Sequence, residues 1–439
     1  MTYFFETYGC QMNSAESAAM KLTLRERGWS PAQNGDAADL VILNTCSVRA
    51  TAEQRVMGRL AQYAARKKLR RFALLVTGCM AVRLGGALKN PPAGADYVLG
   101  PAEKAEFPRI LDALEGEKPY LPGAVPGFSF SSSHLEEGEF RSFVPIMQGC
   151  GNFCAYCIVP YLRGPEISRD PAEITREIRA LADRGVREIT LLGQNVNAYR
   201  WDPGKIGFAE LLELTARAVE GTSIKRARFL SSHPKDLSSR VMQAMADHPV
   251  FCRHLHLCVQ HGSNPVLQRM NRRYTREEYL ALVEEIRSLM PDISLSTDIL
   301  VGFPGETEED IAQTLDLMER VRFIYAYMYH YNPREGTAAY TLPGRISGEV
   351  KRERLARVIA LQKRHTREWL ASRIGAQTTV LIEGISRKNA DELISRTERD
   401  EMVVLPGRSP MIGQFAYATI SSLRGNTLYA EEAHICLGG

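Results

Sequence analysis

The sequence has no long apolar run and no basic segment at its first residues, the two features by which a chain enters or crosses a membrane. No apolar run approaches the roughly 18 residues that a membrane-spanning helix needs, so we expect no membrane association. Residues 1–6 have a strand-like pattern without a basic segment, and we therefore expect no signal peptide. Nine cysteines in such a chain indicate a reducing cytoplasm, and they favour metal or redox chemistry over disulfides.

A strong excess of charge of one sign is also absent. The net charge of +4 permits a nucleic-acid partner but does not establish one. Basic residues nevertheless cluster in two runs, 66–71 and 351–373. Each run is either a solvated helix face or a surface along a phosphate backbone, and both interpretations stay open. The length of 439 residues allows two or three domains with cores of their own.

The most informative stretch of the sequence is the cysteine-rich segment at residues 149–164. Cys150, Cys154 and Cys157 stand there in the spacing C-x3-C-x2-C. Thiolates on so short a loop are typical ligands of one iron–sulfur cluster. A [4Fe–4S] cluster normally takes four cysteines, and residues 142–232 hold no other Cys or His, so one iron is left for an exogenous ligand. A zinc knuckle, which needs a fourth ligand, and buried structural cysteines are the alternatives.

Residues 1–140 alternate strand and helix, which predicts βαβ units and a parallel sheet. Asn13 and Glu16 form a capping-box pattern, from which we expect a helix to about Gly28. The predicted strands span residues 2–8, 39–43 and 72–76.

A cysteine follows each of these three strands. Cys10, Cys46 and Cys79 should therefore meet at the carboxyl edge of one sheet, where such folds place ligands. Cys10 and Cys46 also precede predicted helix N-termini, which favour a thiolate. The alternative is three independent buried cysteines.

From residue 143 a second alternating region begins, and its six strands predict a partial (β/α)6 barrel with the active site at the carboxyl ends of the strands. The predicted strands span 143–148, 188–192, 226–230, 252–260, 293–301 and 325–331. The predicted helices between them lie near 209–219, 237–247, 275–290 and 307–320.

After the basic helix at 351–373, short β-rich runs predict a small antiparallel β-barrel or sandwich. Residues 374–439 carry six basic and eight acidic residues, which is not typical of an RNA-binding surface. The fold class is α/β, and we expect three domains at 1–140, 141–372 and 373–439.

These features together resemble a known family, the radical-SAM methylthiotransferases. Its members have an N-terminal methylthiotransferase domain, a radical-SAM core and a C-terminal TRAM domain, and the aromatic Tyr156 before the third loop cysteine fits the core. The stretches that resemble its MiaB branch are residues 8–13, 156–161, 191–197, 231–234, 270–275 and 296–307. The RimO branch usually has A-Q-D where this chain has Gly193, Gln194 and Asn195.

The resemblance implies methylthiolation at C2 of N6-isopentenyladenosine at position 37 of tRNA. It implies two [4Fe–4S] clusters and S-adenosylmethionine, which serves as methyl donor and as radical source. The radical-SAM cluster then belongs to the C-x3-C-x2-C cysteines, and the auxiliary cluster, which carries the transferable sulfur, belongs to Cys10, Cys46 and Cys79. We assign no catalytic residue beyond these cluster ligands.

The expected partners are the tRNA anticodon arm, an electron donor such as a flavodoxin and a sulfur donor, and we expect a cytoplasmic monomer. We expect the two basic runs, rather than the acidic C-terminal domain, to supply much of the attraction for tRNA. Three alternatives stay open. They are methylthiolation of N6-threonylcarbamoyladenosine, methylthiolation of an aspartate in a ribosomal protein, and a non-enzymatic iron–sulfur RNA-binding regulator. A regulator would not explain why each cluster lacks a fourth cysteine.

Four polar residues at or near strand ends are candidates for binding S-adenosylmethionine or the adenine, and structural roles are the alternative. They are Gln194, Ser232, Gln260 and Asp298. Arg163 and Arg169 flank the cluster loop and either hold a carboxylate or phosphate or form surface ion pairs.

Some residues depart from the family pattern. Cys258 stands where the family usually has Pro, and His261 stands where it usually has Ser. Residues 332–337 also differ from the usual S-P-R-P-G-T. Two cysteines and two histidines alternate along one predicted strand, where a buried barrel face is favoured over a metal site. They are Cys252, His254, His256 and Cys258.

Overall fold

The structure is a computed structural model. It describes residues 1–47, 50–116, 119–123, 130, 139–202 and 205–436. The chain divides into two compact units. The first comprises Met1–Glu137, Phe143–Gly151 and Cys157–Arg169. The second comprises Gly138–Ser142, Asn152–Tyr156 and Asp170–Gly439.

The first unit is built on a five-stranded parallel sheet with the order β2-β1-β3-β4-β5. Its strands are β1 Thr2–Thr7, β2 Ser30–Pro31, β3 Leu40–Thr45, β4 Ala73–Gly78 and β5 Tyr97–Leu99. Its helices are α1 Gln11–Glu26, α2 Ala50–Arg66, α3 Cys79–Leu84 and α4 Phe107–Leu114. The predicted parallel α/β sheet is thereby confirmed.

Both faces of this sheet are buried, which explains why β3 is apolar at successive positions. Val41 and Leu43 pack in one core with residues of α2. Leu40 and Ile42 face the other side and pack with residues of α1 and α4. Each of these strand residues therefore contributes to one of two apolar layers.

The predicted start of the first helix is wrong. Helix α1 begins at Gln11, with Cys10 at its N-cap. Asn13 and Glu16 consequently lie inside the helix, and neither forms the expected capping box. Both side chains instead accept hydrogen bonds from Arg163, which is distant in sequence.

The chain continues with short elements around the C-x3-C-x2-C loop. They are β6 Arg141–Pro145, β7 Met147–Gln148, α5 Val159–Arg163 and β8 Ile167–Ser168. Within the first unit, β7 and β8 pair antiparallel.

The second unit continues the strand–helix alternation. Its strands up to residue 330 are β9 Glu188–Leu192, β10 Arg200–Trp201, β11 Ile206–Gly207, β12 Arg226–Phe229, β13 His254–His256, β14 Ser294–Val301 and β15 Tyr325–His330. Its helices are α6 Pro171–Asp183, α7 Phe208–Val219, α8 Ser239–Asp247, α9 Asn264–Arg269, α10 Arg276–Leu289, α11 Glu308–Val321 and α12 Gly348–Ala371.

The main strands of this unit pair in parallel, β9 with β12 and β13 with β14, which in turn pairs with β15. Parallel bridges join Ala227 to Phe251 and Ser232 to Leu257, and they connect β12 to the segment around β13. The predicted partial barrel is confirmed. The strand predicted at 252–260 is shorter, because its later residues form only isolated bridges and Gln260 has φ +68°.

The C-terminal region is a closed five-stranded barrel with the order β16-β17-β18-β20-β19. Its strands are β16 Gln377–Ile385, β17 Glu392–Thr397, β18 Met402–Pro406, β19 Phe415–Arg424 and β20 Thr427–Ile435. The small barrel is confirmed, but β18 and β20 pair in parallel, against the expectation of an antiparallel barrel. A closed barrel with an odd number of strands must contain at least one parallel pair. Strand β17 is the one of the five that we did not predict from the sequence.

Two arginines of β12 hold the barrel to the rest of the second unit. Arg226 donates to the carbonyl oxygens of Thr379 and Arg396, at 2.6 and 2.8 Å. Arg228 donates to the carbonyl oxygen of Thr397 at 2.7 Å and to that of Glu398 at 3.1 Å. These largely buried guanidinium groups satisfy backbone oxygens that the barrel presents to them.

Among the described residues, no helix is long and apolar enough to cross a membrane.

Candidate functional site

Three cysteines of the first unit lie at the carboxyl edge of its sheet. Cys10 is the N-cap of α1, Cys46 directly follows β3, and Cys79 is the first residue of α3. Thr45 lies opposite Gly78 in the β3–β4 register, so Cys46 and Cys79 are the next residues of two neighbouring strands.

Glycines let the chain approach closely at this edge. Gly9 has φ +118°, and a Cβ on it would lie 2.5 Å from Cβ of Cys46 and 3.1 Å from its Sγ. Gly78 has φ +92°, and a Cβ there would lie 2.3 Å from the carbonyl oxygen of Thr45. A side chain at Gly9 would therefore clash with Cys46, and one at Gly78 would clash with the backbone that precedes Cys46.

A buried polar network lies beside these cysteines. The side chain of Arg163 is 2% exposed and donates to Asn13 Oδ1 and to Glu16 Oε1, each at 2.9 Å. Lys104 Nζ lies 2.5 Å from Glu16 Oε2. Asn13 also donates to the carbonyl oxygen of Thr45 at 3.0 Å. Of the two predicted roles for Arg163, holding a carboxylate is the one observed, although the carboxylate belongs to the protein.

The second flanking arginine, Arg169, is also buried. Its guanidinium donates to the carbonyl oxygen of Pro145 at 3.4 Å. Burial excludes the surface ion pair that was one of the two interpretations of this residue.

The network sets the electrostatics of the cysteine edge. Burial alone would raise the pKa of Glu16, but Arg163 and Lys104 lower it to about 2, so the carboxylate stays charged. Burial raises the pKa of the Cys79 thiol, and the guanidinium of Arg163, which hydrogen-bonds this thiol, partly opposes that effect. The guanidinium of Arg163 is already in place beside Cys79. It therefore favours any bound group that holds this cysteine as a thiolate.

The C-x3-C-x2-C loop begins with a glycine that cannot be replaced without a backbone shift. Gly149 has φ +82°, and a Cβ on it would lie 1.8 Å from the carbonyl oxygen of Pro165. The next amide, of Cys150, donates to the carbonyl oxygen of Gly164 at 3.2 Å. Cys150 and Cys157 are both half-buried and belong to the first unit.

Cys154, the middle cysteine of the loop, is buried in the second unit. Arg272 Nη1 lies 3.3 Å from its Sγ, and the amide of Ala155 donates to the carbonyl oxygen of Met270 at 2.9 Å. The segment after α9 therefore fixes this part of the loop and places a cation against the thiol. Residues 270–275 resemble the MiaB branch, but nothing in that stretch indicates a contact between Arg272 and Cys154.

The second unit brings three of the four polar candidates to one edge. The amide of Gln260 donates to the carbonyl oxygen of Asp298 at 2.9 Å, and that of Cys258 donates to the carbonyl oxygen of Ser232 at 3.3 Å. Gln194 lies two residues beyond β9 and is half-buried. Their binding roles remain a prediction.

Four polar residues that follow β9 and β12 have unsatisfied atoms, and of these only Ser232 was a candidate from the sequence. Within the described part of the chain, their buried atoms have no hydrogen-bond partner in the protein: Asn195 Oδ1, both amide atoms of Asn197, Ser232 Oγ and His233 Nε2. Burial and the nearby Arg272 lower the pKa of His233 to about 2, so its ring is neutral. The polar run that follows the apolar strand β9 was the available signal.

These atoms fit a polar ligand. A buried polar atom without a partner costs about 1–3 kcal/mol, and a ligand that supplies the partner recovers that cost. S-adenosylmethionine carries amino, carboxylate and hydroxyl groups that can pair with amide, hydroxyl and imidazole atoms of this kind.

Three family models match the chain. The Radical SAM superfamily matches residues 144–318, the uncharacterized protein family UPF0004 matches residues 2–100, and the TRAM domain matches residues 371–432.

Curated relatives with the name tRNA-2-methylthio-N(6)-dimethylallyladenosine synthase match nearly the whole chain. The relative from Treponema denticola is 48% identical over 98% of this chain and 100% of its own length. The relative from Treponema pallidum subsp. pallidum is 49% identical over 98% of each chain. That from Syntrophus aciditrophicus is 41% identical over 98% of this chain and 95% of its own length.

Solved structures show a similar fold at low sequence identity. A radical S-adenosylmethionine methyltransferase from Kitasatospora setae, TsrM, has a TM-score of 0.60 and 15% identity, with 77% of each chain covered. The cobalamin-dependent radical enzyme OxsB has a TM-score of 0.51 and 11% identity, and the match covers 83% of this chain and 56% of that one. At such identities the likeness concerns the fold alone.

The cluster loop offers a first test. We expect Gly149→Ala to speed hydrogen exchange at the Cys150 amide, because the new Cβ would strike the backbone at Pro165 and push the two ends of the loop apart. Gly164→Ala is the matched control. Its φ of +74° and ψ of −166° also lie in a region that costs residues other than glycine about 1–3 kcal/mol, but open space surrounds its Cβ position. Equal exchange rates in both variants, measured by mass spectrometry, would contradict the steric argument.

Proposed function

We propose that this chain, which belongs to the radical-SAM methylthiotransferase family of tRNA-2-methylthio-N(6)-dimethylallyladenosine synthases, methylthiolates C2 of N6-isopentenyladenosine at position 37 of tRNA. The observation that carries the proposal is the meeting of Cys10, Cys46 and Cys79 at one sheet edge, in a chain that also has the C-x3-C-x2-C loop. A regulator needs no second cysteine triad, and the relatives do not favour the other two substrates.

Each cysteine triad would hold one [4Fe–4S] cluster. At the sheet edge, three thiols are a donor set that suits such a cluster. Gly9 leaves space beside Cys46, and the cation beside Cys79 suits the net negative charge of the cluster. When bound, the clusters and S-adenosylmethionine supply the radical, sulfur and methyl group that no side chain can provide at an unactivated aromatic C–H. The residues of the chain bind, orient and shield these groups.

Side chains at the carboxyl ends of the strands would hold S-adenosylmethionine and the adenine. To the candidates predicted from the sequence we add the amide of Asn197, whose buried atoms have no partner among the residues that the structure describes. Arg272 would offset the negative charge at Cys154, which it contacts. A base of an anticodon loop can leave its stack, and adenine 37 reaches such an edge by doing so.

The three predicted domains would divide the work. Residues 1–140 would hold the auxiliary cluster, residues 141–372 the radical-SAM cluster, and residues 373–439 would contribute shape contacts to the anticodon arm. We also propose an electron donor such as a flavodoxin, a separate sulfur donor, a cytoplasmic location and a monomeric enzyme.

The basic run at 66–71 is only partly available to RNA. Lys67 Nζ lies 2.5 Å from Asp96, and Arg70 lies 3.2 Å from Asp39. Lys68 and Arg71, at the end of the run, are both exposed. We therefore assign phosphate contacts to these two residues.

The basic helix α12 is divided in the same way. Arg354, Arg357 and Arg364 form ion pairs with glutamates. Lys363 and Arg367 are exposed. We assign the phosphate contacts of this helix to Lys363 and Arg367, because the paired arginines already have an anion beside them.

Division of labour between the triads gives a direct test. Reconstituted protein should contain about eight irons, because each cluster has four. Alanine at Cys10, Cys46 and Cys79 should halve the iron and stop sulfur insertion while release of 5′-deoxyadenosine continues. Alanine at the three loop cysteines should also halve the iron but abolish that release.

The matched control replaces Cys252 and Cys436, which lie outside both triads, and should keep about eight irons. A wild-type protein with about four irons would refute the auxiliary site. Loss of 5′-deoxyadenosine release in a folded Cys10, Cys46 and Cys79 variant would refute the separate roles.

Salt dependence of tRNA binding tests the basic surfaces. We expect K68Q/R71Q and K363Q/R367Q each to weaken binding. The slope of log affinity against log salt concentration should become less steep by roughly 0.7–0.9 for each phosphate that the variant no longer neutralises. R387Q/K388Q removes the same charge from exposed positions on the barrel and is the control. If only this control weakens binding, the barrel supplies the electrostatic attraction and our assignment is wrong.

A further inference from the structure

Three side chains of different ligand types meet in the second unit, at His256, Cys258 and Asp298. One ligand atom from each lies within 4.8 Å of the other two. His256 Nε2 is 3.4 Å from Asp298 Oδ2. The sequence alone favoured a buried barrel face for His256 and Cys258, and no pattern in it connects them with Asp298.

Strand geometry explains the meeting. Side chains two residues apart along an extended chain lie on the same face, which pairs His256 with Cys258 and Ser296 with Asp298. In the parallel β13–β14 register His256 lies opposite Ser296. Cys258 lies two residues after His256, and Asp298 lies two residues after Ser296, so these two residues are neighbours as well. All of these side chains therefore share one face.

The spacing suits a tetrahedral metal ion. Zinc binds nitrogen at about 2.0–2.1 Å and carboxylate oxygen at about 2.0–2.2 Å, so two such ligands at a tetrahedral angle are separated by roughly 3.3–3.5 Å. The observed 3.4 Å between His256 and Asp298 lies in this range. A thiolate, a carboxylate and a neutral imidazole also balance the charge of a divalent cation.

The histidine is oriented for such a role. His256 Nδ1 is 2.8 Å from Ser296 Oγ, which leaves Nε2 directed toward Cys258 and Asp298. Ser296 Oγ is in turn 2.9 Å from His254 Nε2. Metal-binding histidines usually have a partner of this kind on the second ring nitrogen, because it fixes the tautomer and the ring plane.

We propose that His256, Cys258 and Asp298 bind a zinc ion. Three protein ligands leave the fourth tetrahedral position for water or a small thiol, as in zinc sites that keep an open coordination position. The side chain of Asp298 is 27% exposed and can admit such a ligand. The site uses none of the six cysteines assigned to the clusters, so it can form whether or not they bind iron. It does use Asp298, and a zinc ion there would remove this residue from the candidates for S-adenosylmethionine or adenine.

The test uses the holoenzyme with both clusters in place, so that the cluster cysteines are occupied. After dialysis against zinc sulfate and removal of loose metal, we expect about one zinc per chain by elemental analysis. Zinc K-edge absorption should show one sulfur at about 2.3 Å and nitrogen or oxygen ligands at about 2.0 Å. Cys258→Ala and His256→Ala should each lose the zinc while their iron content stays at the wild-type value.

Cys252→Ala is the matched control, because this buried cysteine precedes the same strand and should leave the zinc in place. Wild-type protein without zinc, or zinc retained by Cys258→Ala, would overturn the proposal. A zinc coordinated by three sulfurs would also overturn it, because that ion would occupy a cluster triad. An unchanged iron content in every variant would show that a failure concerns this site and not the clusters.

Discussion

The buried ion pair between Arg163 and Glu16 is the interaction on which the first unit depends. It joins α5, which ends the C-x3-C-x2-C loop, to α1, which begins after Cys10. Lys104 contacts the same carboxylate, so two cations share one anion inside the unit. Burying a surplus positive charge is costly unless a further anion lies nearby. Thiolates around an iron–sulfur cluster at Cys79 and Cys10 would supply it.

Two residues of the second unit with a strained backbone lie where ligands are expected. Ser231 and Gln260 both have φ +68°, a region that residues other than glycine rarely adopt. Ser231 directly precedes the candidate Ser232, and Gln260 is itself a candidate. Strain of this kind costs about 1–3 kcal/mol for each residue and commonly persists at functional sites. Asn197 and His233 follow β9 and β12, and each has buried atoms without a hydrogen-bond partner in the described part of the chain.

Features with local signals could be predicted from the sequence, and those made by distant partners could not. Cys10, Cys46 and Cys79 were placed at one edge because each follows an apolar strand. Glu16 was misread as part of a cap because its partner Arg163 is 147 residues away. For the same reason the sequence did not link Arg272 to Cys154, which is 118 residues away. Strand β17 could not be recognised because four of its six residues are polar. It makes the number of strands odd, so the closed barrel must contain a parallel pair.

This chain converts N6-isopentenyladenosine in tRNA to its 2-methylthio derivative. Mass spectrometry of tRNA nucleosides from a deletion strain, with and without a plasmid copy, tests it most directly. We expect the deletion strain to accumulate the isopentenyl nucleoside. The wild-type copy should restore the 2-methylthio form, and a copy with alanine at Cys10, Cys46 and Cys79 should not. An unchanged nucleoside profile in the deletion strain would contradict the claim.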